Sequence, residues 1–443
     1  MTANGCEART ASLDMDRASA GDLFNLAVDL GPVPMQVGAC LILDAGPDFG
    51  LTRARQLIAE RVGAVPRLRQ RLVLTPPGCG RPLWIDDPAF DLDRHLHVTT
   101  CPPPGDDTAL LDLAAAVIGR PVPASRPLWS MTLVTGLADG RIGMIACFHH
   151  GLADGIGGLA VLGCLTDGMP ARTVRAFPVP APSLRRVAAD AWSARLHALA
   201  RLPHAWRAVK RAAAEIGAPQ RSAICSLNAP AGANQRLVTV TAKLDDVRRF
   251  AHVHGGTVND AVLAAIIGAV RTLLARRGES VPELVVSVPV SARTSATAAR
   301  LGNQVGVMPV RLSTGGGLAQ RLERTAMITR ARRSTTPGAS AQLLSGIGRI
   351  LARIHLMGWL LNHQHLIHTV VTNLRGPEES LFFNGARVRT IIPISLARGN
   401  VTIAFSVLSY TRILTITIVA DAERVPDLPH LTRALHDELT AMS

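Results

Sequence analysis

The stretch Ile142-Gly143-Met144-Ile145-Ala146-Cys147-Phe148-His149-His150-Gly151-Leu152-Ala153-Asp154-Gly155-Ile156-Gly157-Gly158 decides how this chain is read. An apolar strand runs into two histidines, a short loop carries an Asp-Gly pair, and a glycine-rich helix begins. Successive strand residues point to opposite faces. His149 and His150 therefore divide the work, one serving structure and the other facing a cavity. An imidazole is suited to taking a proton from a hydroxyl near neutral pH, provided it is neutral and one ring nitrogen is held by a hydrogen bond. Asp154 is placed to brace the loop, and Gly155, Gly157 and Gly158 let backbone come close to a ligand. Other readings of the same residues stay open. The two histidines also serve as satisfied core residues at a strand end. A metal reading meets the absence of His-Glu-x-x-His spacing. A covalent acyl-serine route needs a Gly-x-Ser-x-Gly elbow, which the chain lacks.

Working outward, residues 142–148 pair with a strand over 129–137 around the turn Ala138-Asp139-Gly140. Upstream, 36–43 reads as a strand, and 51–62 and 108–119 as helices. Downstream, 156–165 reads as a helix. The sequence changes character over 169–235. Pro170, Pro178, Pro180 and Pro182 open this segment. A basic helical stretch follows, with Leu184, Val187, Ala188, Ala191, Trp192, Leu196 and Leu199 at helical spacing. Pro203 breaks it, and Trp206, Val209, Ala213 and Ile216 resume it. Arg185, Arg186, Arg195, Arg201, Arg207, Lys210 and Arg211 fill the other positions. Such a surface either docks on anionic lipid with its Arg heads snorkelling or packs as a linker helix pair. Beyond it, strands are expected at 237–242, 283–289, 305–312, 368–373, 401–408 and 414–419. Helices are expected at 244–253, 257–275, with Thr257 as N-cap, and 317–333. The division is 1–168, 169–235 and 236–443, with similar strand and helix content in the outer parts.

Composition narrows the class. The chain has 443 residues, 48% hydrophobic and only 3% aromatic, so aliphatic side chains must fill its core. The net charge is +14, almost all from Arg, with Lys only at Lys210 and Lys243. No recognition motif or aromatic cluster accompanies that charge, which argues against nucleic acid as a partner. Seven scattered Cys without Cys-x-x-Cys spacing argue against a disulfide framework or zinc site and for a reducing compartment. The N-terminal residues carry Glu7, Asp14 and Asp16 and do not read as a secretory signal. The most apolar helical candidate, 343–361, is interrupted by Arg349, Arg353 and His355 and reads as buried or interfacial.

With these residues placed, the chain resembles the bacterial wax ester synthase/diacylglycerol acyltransferase family, within the CoA-dependent acyltransferase superfamily that carries His-His-x-x-x-Asp-Gly. The likeness runs from about Asp22 to Val425. Pro34-Met35-Gln36-Val37-Gly38, Arg126-Pro127-Leu128-Trp129, Thr257-Val258-Asn259-Asp260, Gly302-Asn303, Asn373-Leu374-Arg375-Gly376-Pro377, and Ser409-Tyr410 with Ala420-Asp421 follow the family's motif order. Each is weak alone; six in order are not. The resemblance implies an α/β fold of two chloramphenicol-acetyltransferase-like domains with a tunnel at their interface. It implies an enzyme that moves a long-chain acyl group from acyl-CoA to diacylglycerol or a long-chain alcohol. Acyl-CoA is then a substrate, and no cofactor is needed. By motif match, His150 is the general base, His149 supports it, and Asp154 is structural, with Arg293 as its candidate ion-pair partner. Gly155, Asn259, Asp260, Arg293 and Asn303 are the expected substrate-binding or supporting residues. A cytoplasmic location is expected, peripheral on the inner membrane face or on lipid droplets. Three departures stand out: Gln36 replaces the usual His, Val122-Pro123-Ala124 replaces Leu-Asp-Arg, and Leu374 replaces Val. The rival readings are a condensation-type acyltransferase with another donor or acceptor, and a catalytically weak lipid-binding scaffold.

Overall fold

A computed structural model describes residues 15–46, 49–167, 176–200, 222–291, 305–333 and 356–443. Two six-stranded sheets carry the fold. The first has the strand order Phe382–Phe383, Ala386–Ser395, Gln36–Asp44, Ile142–His149, Trp129–Thr135, Leu96–Thr100. The second runs Gln235–Lys243, Ile413–Asp421, Ile403–Tyr410, Thr369–Arg375, Glu283–Ser291, Val305–Ser313. The α/β class expected from the sequence is the observed one.

The central strand Gln36–Asp44 shows why this sequence makes a buried strand. It is apolar on both faces, because a helix covers one side and the first core the other. Gly38 sits where the helix Asp107–Ile118 presses on the sheet. A Cβ there would fall 2.5 Å from both Ala146 O and Ile118 Cδ1, so only glycine fits. Register places Gln36 opposite His149 and Val37 opposite Phe148. The Pro-Leu-Trp motif is structural in the same way. Trp129 is 1% exposed and its indole N–H donates to Leu68 O at 2.7 Å. Leu128 O accepts the His149 backbone N–H at 3.0 Å. The strand that ends at His149 is thus clamped on both sides.

The two halves do not separate at the middle segment. Ala386–Ser395, far along the chain, pairs antiparallel with Gln36–Asp44 and belongs to the first sheet. The division at 236 places this strand with the second part; backbone pairing places it with the first. Tyr410 of the second sheet strengthens the tie, its hydroxyl accepting from Leu381 N and donating to Val388 O, both at 2.8 Å. Leu237 and Val419 of the second sheet share a core with Cys40, Leu110 and Ile145 of the first half. A larger core in the second half surrounds Val258–Arg276. This described helix is long and apolar enough to cross a membrane, with a mean hydropathy of 1.6, yet 72% of its apolar window is buried inside the protein. Of the stretch 343–361, only 356–361 are described, within the helix Leu356–His363.

The middle segment contributes the helix Leu184–Ala200. Val187 and Ala191 are buried against the first half, where Arg17 binds Asp190 at 2.6 Å and the Val187 carbonyl at 2.9 Å. The second basic stretch, 203–216, lies outside the described residues. Beneath the proline-rich strap, Met15, Trp84, Asp86, Val179, Pro182 and Arg186 line a small cavity of about 110 Å³, away from the histidine motif.

Candidate active site

The strand Ile142–His149 stops at its last histidine, and His150 begins the turn. His149 is 3% exposed. Its Nδ1 accepts the Gly151 N–H at 2.9 Å, so the ring proton resides on Nε2, 3.1 Å from Asp29 Oδ2. Both ring nitrogens of His149 are thus engaged within the protein. Its neighbour is half-buried and held from the backbone side: His150 N–H donates to Met35 O at 2.8 Å, and Asn25 Nδ2 donates to His150 O at 3.1 Å. The strand does not reach His150, so the two imidazoles differ through the turn that follows and not through strand alternation.

Burial pushes the His150 imidazole down from its ordinary 6.5 to about 4. The Asp154 charge and a bond to the residue's own backbone oppose that shift, while the Arg398 charge adds to it. At neutral pH the ring is therefore unprotonated and able to accept a proton.

Asp154 is fully buried and caps the helix Gly155–Leu165, accepting the Gly157 N–H at 2.7 Å. It satisfies an orphan N–H of the first turn and sets its charge beside His150. Arg293 and Asn303 lie outside the described residues. Gly155 brings the motif against the second half, since a Cβ on it would lie 3.0 Å from Leu374 Cδ1. Beside Leu374, Asn373 Nδ2 donates to Asn259 Oδ1 at 3.2 Å. The Asp-Gly loop, the end of Thr369–Arg375 and the start of Val258–Arg276 therefore converge. Asp260 is a supporting residue. One oxygen closes a capping box with Thr257 and the other accepts from Thr329 Oγ1 at 2.7 Å.

Three residues that the sequence did not nominate as site groups prove central to this geometry. Asn25 and Asp29 follow no motif, and Arg398 is remote in sequence from both. Gln36, noted only as a departure, is buried. Its Nε2 donates to Ile118 O at 2.5 Å and Arg120 O at 3.0 Å, and its Oε1 accepts Val122 N–H at 2.7 Å. Gln36 thus ties the strand beside His149 to the 120–124 loop, which also departs from the family pattern. Among the described residues, no group of three or more His, Cys, Asp or Glu side chains is placed to hold a metal ion.

Comparison with known proteins bears on family and fold. Residues 19–262 match the wax ester synthase/diacylglycerol acyltransferase catalytic domain, and residues 301–443 match the C-terminal domain of the same family. A probable diacylglycerol O-acyltransferase of Mycobacterium tuberculosis is 28% identical over 429 residues, covering 93% of this chain and 91% of that protein. A wax ester synthase/diacylglycerol acyltransferase from Marinobacter aquaeolei VT8 superposes with a TM-score of 0.69 at 21% identity, over 96% of this chain and 98% of that one. The first condensation domain of the CDA synthetase shares the fold, with a TM-score of 0.61 at 18% identity, over 97% and 96% of the two chains.

Proposed function

The chain belongs to the wax ester synthase/diacylglycerol acyltransferase family, and we propose that it transfers a long-chain acyl group from acyl-CoA to diacylglycerol or a long-chain alcohol, with His150 as general base. The observation that carries this reading is a half-buried neutral imidazole, fixed through its backbone by Asn25 and Met35, beside a junction where both halves meet. In the reaction, His150 takes the proton from the acceptor hydroxyl as its oxygen attacks the thioester carbonyl carbon. A C–O bond forms and a tetrahedral oxyanion results, which needs positioned donors. The C–S bond then breaks, and the departing CoA thiolate recovers the proton from the imidazolium, leaving ester and free CoA. The Asp154 carboxylate stabilises the ring while it is charged.

Acceptors of this class reside in lipid, and the helix Leu184–Ala200 supports peripheral docking on an anionic lipid surface. Leu184, Trp192 and Leu196 are between 61% and 64% exposed, and Arg195 lies over the Trp192 ring at 5.2 Å. Arg185 and Arg186 share that helix.

A labelled acyl-CoA assay over diacylglycerol, monoacylglycerol, fatty alcohols and short alcohols tests the reading. Labelled ester from a long-chain hydroxyl acceptor is expected. Failure with all of them, alongside turnover of a carrier-bound acyl donor onto an amine, would favour a condensation-type activity.

A further inference from the structure

We infer that Asp29 and Arg398 form a positioning pair that fixes both histidines of the motif, so that the second half of the chain completes the geometry of the base. Asp29 reaches each histidine by a different route. Its Oδ2 receives the Nε2–H of His149 at 3.1 Å. Its Oδ1 receives the Met35 N–H at 2.6 Å, and the Met35 carbonyl in turn accepts the His150 N–H at 2.8 Å. One carboxylate therefore sets the ring of the first histidine and, through one residue, the backbone of the second.

Arg398 holds that carboxylate in place. It follows the strand Ala386–Ser395, remote in sequence from Asp29, and arrives beside the motif because that strand pairs in the first sheet. Its Nη2 lies 3.8 Å from Asp29 Oδ1 and donates to Val28 O at 3.0 Å. Its Nε donates to Val33 O at 3.0 Å, and its Nη1 contacts the Met35 sulfur. The guanidinium thus spans residues 28 to 35, the segment in which Asp29 sits, and its planar fork serves several acceptors at once. Burial pushes Arg398 down to about 10, with Asp29 opposing, so it remains charged at neutral pH. For Asp29, burial pushes the carboxyl up, but the bonds from His149 and Met35 and the Arg398 charge outweigh it and leave it below its ordinary value. Neither residue belongs to the motifs quoted above. Their role is to orient groups, not to touch substrate.

This inference rests on the assignment of His150 as base, and the experiment separates the two. Asp29→Ala, Asp29→Asn, Arg398→Lys, His150→Ala and His149→Asn are compared with the wild type in kcat, KM for acyl-CoA, melting temperature and proton NMR. The wild type should show a downfield imidazole N–H resonance, assigned to His149 by its loss in His149→Asn. Asp29→Ala should lose this resonance and lower kcat by about 100-fold, with KM within about twofold, as expected when a reacting group is displaced. Asp29→Asn keeps an acceptor oxygen and should recover part of the rate. Arg398→Lys keeps the charge but loses the fork, and should fall about tenfold. If Asp29→Ala misfolds, Asp29→Asn and Arg398→Lys carry the test. Wild-type kcat in folded Asp29→Ala, or an unchanged resonance, overturns the positioning role. His150→Ala with wild-type turnover overturns the base assignment instead, while the resonance still reports whether Asp29 holds His149.

Discussion

Gly155 and Leu374 meet across the junction of the two halves, with only 3.0 Å between the space a Cβ would take on the glycine and Leu374 Cδ1. A side chain on the motif's glycine would therefore press on a partner far along the chain, which must give way to admit it. Gly155→Val forces a branched side chain into that contact, at a cost of about 1–3 kcal/mol. We expect turnover to drop about tenfold. Leu374→Ala in the same chain should restore most of it by opening the space. Kinetics on both single variants and the double variant decide the point; an unimpaired Gly155→Val would show that the contact does not matter.

Gln36 answers for one of the departures from the family pattern. Its amide satisfies two carbonyls and one N–H in the buried link to the 118–122 turn. Gln36→Leu leaves all three without that partner, at a cost of about 2 kcal/mol or more. The melting temperature should fall by about 2–4 °C. No change on melting would mean that the 120–124 loop is anchored elsewhere.

Asp154 has two separable roles, as helix cap and as a negative charge beside His150. Asn is an equally good N-cap, whereas Ala costs about 0.5–2 kcal/mol. Asp154→Asn should therefore melt close to the wild type while losing activity, and Asp154→Ala should lose both. Full activity in Asp154→Asn would remove the electrostatic role.

The pH profile follows from the His150 shift. Its folded value, about 4, lies below the ordinary 6.5, so the neutral base persists well into the acid range. The acidic limb of kcat/KM should centre near pH 4, whereas an exposed histidine would place it near 6.5. The stability sign is also fixed. The unfolded chain takes up this proton first, so the group's contribution is intact above pH 6.5 and is lost as pH falls towards 4. His150→Gln should flatten that part of the stability curve. An acidic limb at 6.5 would show that the ring is more solvated than the fold implies.

Much of this architecture is legible from local pattern. The helices Leu51–Val62 and Leu244–Val253 agree with the sequence reading residue for residue, because each shows its buried side chains at helical spacing. Thr257 caps its helix as expected, with Asp260 completing the box. The edge strand Leu96–Thr100 escapes because only Leu96 is buried, leaving no apolar alternation to read. The strand Ala386–Ser395 escapes for another reason: Pro393 argues against a central strand, yet it pairs opposite Ala39. The motif histidines are visible in sequence because chemistry concentrates in a short run. Asp29 and Arg398 are not, because their value comes entirely from a pairing across most of the chain.

Proton removal by His150 is read from single-turnover acyl transfer from labelled acyl-CoA to diacylglycerol by wild type and His150→Ala. General-base catalysis contributes about 10²–10⁴-fold. A loss of that size is expected, with acyl-CoA binding retained. A variant that binds acyl-CoA and transfers within about twofold of the wild-type rate would contradict it.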